Sequence, residues 1–147
     1  MATQKLVLAA ADAEDLEAIS ARLQDAVAQV KDLVYLPKSR RFAGLFNRFK
    51  WESDAPRSGV RVRAGLHVDG VLSAKSCNLR TSNPDAVASL LALRFQPTGG
   101  DNPGGTIELV FSGGGILRLE VECIDAELAD LSGEWAARGR PVHELES

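Results

Sequence analysis

The chain has 147 residues, of which 25% are charged and 45% apolar, and this is the composition of one ordinary globular domain. Residues 1–147 are therefore expected to form a single domain that frays at residues 1–4 and 141–147. Two cysteines are too few for a disulfide framework, and no apolar run approaches the roughly 18 residues of a membrane span. The N-terminus lacks a signal-peptide pattern, so the sequence predicts a cytoplasmic protein without a membrane partner.

The net charge of −3 is unevenly distributed along the chain. Residues 1–30 carry a net charge of −3, residues 31–80 carry +7 and residues 81–147 carry −7. Such a division indicates either a dipolar surface or basic and acidic segments that attract each other in the fold.

The first predicted elements are a short strand at residues 6–8 and a helix over residues 12–30. Apolar residues recur every three or four positions through the helix: Leu16, Ile19, Leu23, Val27 and Val30. Asp12 is expected to cap its N-terminus, and acidic residues in the first turn suit the helix dipole.

Strands follow at residues 33–36, before Pro37, and at residues 42–51, with a basic turn between them. Residues 60–68 alternate most clearly, with one apolar face and one face that carries Arg61, Arg63 and His67. The next two residues, Asp69-Gly70, predict a hairpin to residues 71–77.

Residues 84–95 allow two interpretations. One is a helical turn at 84–89, begun by Asn83-Pro84, followed by a strand at 90–95; the other is a helix throughout. Residues 97–105 are rich in glycine and proline and predict a flexible connection.

The C-terminal region begins as a hairpin over residues 106–123, with a glycine turn at Gly113-Gly114-Gly115. Then Ile124, Leu128, Leu131 and Trp135 recur at helical spacing. The predicted fold class is therefore α+β, with about seven antiparallel strands curled into a barrel or a split sheet, an N-terminal helix and a C-terminal capping helix. This order is similar to a pleckstrin-homology-like barrel, an analogy of architecture without a function. The predicted core comprises Val62, Leu109, Phe111, Leu117, Leu119, Val121 and Leu128.

No catalytic or metal-binding motif is present. The two histidines and two cysteines are widely spaced, the glycine runs lack a phosphate-loop pattern, and no cofactor is predicted. Catalysis would need His67 to meet Cys77, Cys123 or a buried carboxylate in the fold.

A basic strand face is the one feature with functional content. Five side chains are candidates for an anion site: Arg40, Arg41, Arg61, Arg63 and His67. Together they could bind a phosphate-bearing ligand, an acidic protein or RNA. The alternative, which the acidic net charge favours, is a solvated face or pairing with the acidic C-terminal third.

Several segments resemble an uncharacterised family of small alphaproteobacterial proteins, a domain of unknown function. They are AEDLEAISARLQDAV, YLPKSRRFAGLFNRFKWE, RAGLHVDGVLSAKS, PDAVASLLALRF and FSGGGILRLEVECIDAELADL. The similarity extends from Lys5 to about Pro141 and implies a bacterial cytoplasmic protein, but it assigns no catalytic residues.

The sequence therefore favours a non-catalytic binding or protein-interaction module with an unidentified protein partner. The first alternative is an anion- or nucleic-acid-binding protein that uses the basic strand face. The second is a small enzyme with a site near His67. The oligomeric state is open.

Overall fold

The computed structural model describes residues 6–49, 60–79, 83, 85–131 and 135–136. One α-helix and eleven strands are present in this part of the chain. In chain order they are β1 (Val7–Ala10), α1 (Ala13–Leu23), β2 (Val27–Gln29), β3 (Leu33–Leu36), β4 (Arg41–Phe49), β5 (Val60–Asp69), β6 (Val71–Cys77), β7 (Val87–Gly99), β8 (Asn102–Phe111), β9 (Ile116–Val121), β10 (Ala126–Asp130) and β11 (Trp135–Ala136). Short 3-10 segments lie at Val30–Asp32 and Ser112–Gly114.

The strands form one antiparallel sheet in the order β1-β10-β5-β4-β2-β7-β8-β9-β6, with β3 on β4 and β11 on β5. The end strands β1 and β6 do not pair with each other in the described chain, so the sheet is open. The predicted α+β class is therefore wrong: the fold is mostly strand, it is not a closed barrel, and α1 is the one α-helix of the described residues.

The predicted C-terminal capping helix is instead strand β10. Its inner positions, Ala126, Leu128 and Asp130, alternate with outer positions Glu127 and Ala129. Asp130 is acidic although it occupies an inner position, so the sequence does not show a simple alternation of apolar and polar residues here. Pairing decides the conformation, because β10 satisfies its backbone groups on β5 at one edge and on β1 at the other.

The N-terminal helix is confirmed but is shorter than predicted. Asp12 caps it, because its side chain accepts a 2.8 Å hydrogen bond from Asp15 N. The helix ends at Leu23, and Asp25 adopts a positive φ of 69° before β2 begins at Val27. Val27 lies in a strand because its backbone pairs with β4 and β7.

The predicted β5–β6 hairpin is wrong. Gly70, at φ 70°, turns the chain out of the β4–β5 half of the sheet, and β6 pairs with β9. The reason is that both edges of β5 are taken, by β4 on one side and by β10 and β11 on the other. Lys75 consequently lies opposite Arg118 and is exposed.

Strand wins over helix in the middle of the chain. β7 runs from Val87 to Gly99, which resolves residues 87–95 and excludes a helical turn through residue 89. The predicted flexible connection is also wrong, because β7 and β8 continue as a ladder as far as the Gly99–Asn102 pair. Only Gly100 and Asp101 form the turn.

The β8–β9 hairpin is confirmed, with Leu109 opposite Leu117. Its turn uses positive φ at Gly113 (81°) and Gly114 (93°), a region that glycine enters without strain. All seven predicted core residues are buried. They belong to one hydrophobic cluster, apart from Val62, together with Leu16, Ile19 and Leu23 of α1. The sheet therefore wraps a single core that α1 completes, and its opposite side faces outward.

Candidate binding face

The side of β3, β4, β5 and β10 that points away from the core is called the outer face here. Strand alternation places one set of side chains on it: Val34, Leu36, Arg41, Ala43, Leu45, Asn47, Arg61, Arg63, Gly65, His67, Asp69, Glu127 and Ala129. Leu131, just beyond β10, also lies on it, against Gly65. The face is therefore partly apolar and carries all the outward residues of the predicted basic strand.

A groove of about 480 Å³ crosses the outer face. Its floor is made by small residues on three adjacent strands, Ala43, Gly65 and Ala129. Val34 and Leu131, which are 41% and 48% exposed, contribute apolar walls. A Cβ at position 65 would lie 3.3 Å from Leu131 Cδ1, so the absence of a side chain at Gly65 creates the room beneath that wall.

Four alternating charges border one end of the groove. Arg41 on β4 forms two hydrogen bonds to Asp69 on β5, at 2.7 and 3.3 Å. His67 Nε2 lies 3.1 Å from Glu127 Oε1 on β10. The hydrogen bond from Arg41 holds the pKa of the Asp69 carboxyl below its usual range, and Asp69 raises the pKa of Arg41. Arg41 and Asp69 therefore balance each other's charge within this row.

His67 is placed for ion pairing more than for base catalysis. Its Nδ1 lies 3.3 Å from Asp69 Oδ2, close but misaligned for a hydrogen bond, while Nε2 is engaged by Glu127. Both carboxylates are partly exposed. A general base needs a ring nitrogen that can reach a substrate proton, and carboxylates occupy the surroundings of both nitrogens here.

Arg63 and Asn47 form the next cross-strand pair along the outer face, after Leu45 and Gly65. Arg63 is only 6% exposed, and its Nε has no hydrogen-bond partner among the described residues. Asn47 Oδ1 is likewise buried without a partner in that part of the chain. Two adjacent buried polar groups thus lack the bonds that such groups normally make.

The inner side of the same strands carries a second buried arginine. Arg48 Nε and Nη2 each donate a 3.0 Å hydrogen bond to Asp130, to Oδ1 and Oδ2 respectively. The two side chains reach across β5, and Asp130 Oδ2 also accepts a 3.0 Å bond from Leu6 N. This buried pair connects β1, β4 and β10. Because hydrogen bonds satisfy both buried charges, the pair has a structural role.

Three of the five predicted anion-site residues have carboxylate neighbours: Arg40 bonds Glu122 at 2.7 Å, Arg41 bonds Asp69, and His67 lies between Asp69 and Glu127. The basic middle third thus pairs with the acidic C-terminal third at several points. Arg61 is half-buried beside Arg63 on the same strand face.

The cysteines and acidic residues form no further site. Cys77 and Cys123 are exposed and free, and they lie at opposite ends of the β6–β9 pair, since Cys77 is opposite Ile116 while Cys123 follows Val121. Neither cysteine lines the groove beside His67. Within the described ranges, no group of three or more His, Cys, Asp or Glu side chains is placed to hold a metal ion.

With this geometry established, comparison with protein families identifies one match. A family described as "Protein of unknown function (DUF2948)" matches residues 6–143, nearly the whole chain. The chain belongs to this family. The predicted resemblance to a domain of unknown function is thereby confirmed, although the match carries no function and no source organism. Comparisons with curated proteins and with solved structures find no match.

Across the described residues, no helix is both long enough and apolar enough to span a bilayer.

Sequence reasoning missed most of the groove. Ala43, Gly65, Ala129 and Leu131 come from three separate chain segments, and only the β4-β5-β10 strand order brings them together. One local signal existed: Gly65 interrupts the outward row of Arg61, Arg63 and His67, and a glycine inside a strand often marks close approach of another group. Glu127 was assigned to a helix, so its contact with His67 was not foreseen.

Proposed function

We propose that the protein is a non-catalytic binding module that takes the apolar part of a small ligand into the outer-face groove. The observation that carries this proposal is the groove itself, with its small-residue floor and exposed apolar walls. Small-molecule sites are concave and mostly apolar, with a few polar groups that fix orientation. The groove fits that description in size and lining.

The position of the groove on paired strands supports the same function. Its floor residues lie in the continuous β4–β5–β10 ladder, which holds their backbone in register. A site on regular strands is preorganised, so a ligand need not order a loop on binding. The rim carries four polar side chains that bond one another, and such groups suit orientation of a ligand better than proton transfer: Arg41, Asp69, His67 and Glu127.

A titration with 1-octanol, followed by 1H–15N NMR, tests the proposal. We expect the largest amide shifts at Ala43, Gly65 and Ala129. Gly65→Val fills the floor and excludes about two methylene groups of the ligand, so the affinity should fall about tenfold.

The matched control is Leu72→Ser, which removes an exposed leucine from β6, outside the groove. It should leave octanol binding unchanged. Because Gly65→Val could disturb packing, Ala129→Leu provides a second way to fill the floor. Shifts that map away from the groove, or unchanged affinity in both floor variants, would overturn the proposal.

Anion or nucleic-acid binding by the basic strand face is a second candidate. Its support comes mainly from Arg63, because Arg40, Arg41 and His67 each have a carboxylate neighbour within hydrogen-bond distance. Its test is a thermal melt with and without phosphate at matched ionic strength, on the parent and on an Arg61→Ala/Arg63→Ala variant. A phosphate-dependent rise in Tm that the double variant loses would support it.

A bacterial, cytoplasmic setting remains a prediction from the sequence. Its support is the resemblance of the chain to a family of small alphaproteobacterial proteins. Fractionation of a native host, with antibody detection of the protein, tests it.

A further inference from the structure

On the outer face, Arg63 is a buried charged side chain whose Nε has no described partner. Its residue surface is 94% buried, yet no acidic side chain or acceptor meets Nε in the described part of the chain. An arginine side chain stays charged in proteins, so this cost is not relieved by loss of the charge. A buried charge of this kind is normally paired, so the position is complementary to an anion.

Asn47 supplies a second unsatisfied polar group at the same place. It is directly opposite Arg63 in the β4–β5 ladder, and its Oδ1 is buried without a described partner. Rotation of the amide by 180° would present Nδ2 as a donor instead. Arg63 and Asn47 would then both offer N–H donors at directly opposite positions of the ladder.

This pair is continuous with the groove. Leu45 and Gly65, which line it, are the preceding cross-strand pair, and a two-residue step along a strand covers about 7 Å. Leu131 joins the two places: its side chain touches the Gly65 position, and its backbone N donates a 2.8 Å bond to Arg63 O. Arg63 and Asn47 are not part of the groove lining, so a ligand must extend one cross-strand pair beyond Leu45 and Gly65 to reach Arg63.

We infer that the groove binds a monocarboxylate with an apolar body, and that Arg63 binds the carboxylate. The inference rests on the proposed function and names its ligand class. The apolar body occupies the floor at Gly65 and Ala129, while the head group takes the hydrogen bonds that Arg63 and Asn47 lack. A guanidinium matches a carboxylate in geometry as well as in charge.

Charge count favours a carboxylate over a phosphate. Among the described residues, the neighbours of Arg63 on the outer face are Asn47, Gly65 and Leu131, which carry no charge, and Arg61. One anionic charge balances the charge of Arg63. A phosphate dianion would bring a second charge beside these uncharged neighbours, at a further desolvation cost.

Isothermal titration with octanoate, 1-octanol and octylamine tests the inference, since the three probes share a chain and differ in head group. We expect octanoate to bind about tenfold tighter than octanol or more, as for a hydrogen bond to a charged group, and octylamine to bind weakest. Arg63→Gln should remove the preference for octanoate and leave octanol affinity within about twofold.

Arg94→Gln is the matched control, because it removes an equal charge from an exposed position on β7. It should keep the full octanoate preference. Arg63→Lys, which retains the charge but not the planar fork, should keep only part of it and serves if Arg63→Gln does not fold.

The outcomes separate the two proposals. Octanoate that binds no tighter than octanol, or that loses equal affinity in Arg63→Gln and Arg94→Gln, overturns the Arg63 inference and leaves the groove function standing. Inorganic phosphate that binds as tightly as octanoate also overturns it. Octanol that fails to bind overturns the groove function, whereas Arg63-dependent octanoate binding would still support the anion site.

Discussion

Arg48 and Arg63 lie on adjacent strands, on opposite faces of the same sheet, and both are almost completely buried. On the inner face Arg48 is met by Asp130 through two hydrogen bonds, and the ion pair holds β4 against β10. On the outer face, Arg63 Nε meets no acceptor within the described chain. The comparison teaches that burial alone does not distinguish structural from functional charge: the state of the partner does.

The inner and outer faces differ in the same way for apolar residues. Inward side chains such as Phe46, Leu66 and Leu128 are fully enclosed by the core. Outward positions on these strands carry Ala43, Gly65 and Ala129, which leave room above the sheet, and Leu131 remains half-exposed. The inner face therefore serves stability, whereas the described residues of the outer face leave a groove between them.

The largest expected effect compares the two arginines. Arg48→Met should lower the free energy of unfolding by about 3–5 kcal/mol, because it leaves the Asp130 carboxylate buried without its cation. Arg63→Met should leave that free energy unchanged or raise it by up to about 1 kcal/mol, since no described ion pair is broken. Urea denaturation of both variants makes the measurement. Equal losses would erase the distinction between the two faces.

A smaller difference is expected between two leucines of the same region. Leu66→Ala, on the inner side of β5, should cost about 2–5 kcal/mol through lost burial and the cavity left behind. Leu131→Ala, on the outer face, should stay within about 0.5 kcal/mol of the parent, because that side chain is half-exposed. Thermal and urea unfolding of each variant measures this; a loss above 2 kcal/mol for Leu131→Ala would show that the outer face also supports the core.

The smallest effect concerns the charged rim. Asp69 has a lower pKa when folded than its ordinary value of 3.8, mainly because Arg41 donates hydrogen bonds to it. Such a carboxyl contributes stability above its unfolded pKa and loses that contribution as the pH falls through the folded pKa. The parent should therefore lose stability below about pH 4 more steeply than Asp69→Asn does.

The comparison is made from urea midpoints at a series of pH values between 2 and 7. Asp101→Asn, in the exposed turn between β7 and β8, is the matched control and should follow the parent. Identical pH profiles for the parent and Asp69→Asn would mean that the Arg41–Asp69 bond contributes nothing to folding at this exposed position.

Foresight from the sequence was best where a pattern was local and uninterrupted. The alternation of β5 correctly separates inward Val62 and Leu66 from outward Arg61 and Arg63, because side chains on a strand alternate by geometry. The glycine turn of the β8–β9 hairpin and the Asp12 cap of α1 were also predicted correctly, since each depends on residues close in the chain. For the candidate site, this reasoning selected Arg63, but it predicted neither the burial of Arg63 nor the lack of a described partner for its Nε.

Long-range pairing decided the rest. Residues 126–130 have helical spacing in the sequence, but the strand wins because β5 and β1 offer it hydrogen bonds on both edges. Asp69-Gly70 predicts a hairpin, but the chain turns away from β5 at Gly70, because β4 and β10 already pair with both edges of β5. By itself the sequence determined which residues avoid water and where the chain turns, since both follow from local chemistry. Only the tertiary structure decided which strands are neighbours, and hence that Asp130 meets Arg48, that Glu127 meets His67, and that Gly65, Ala129 and Leu131 shape one groove beside Arg63.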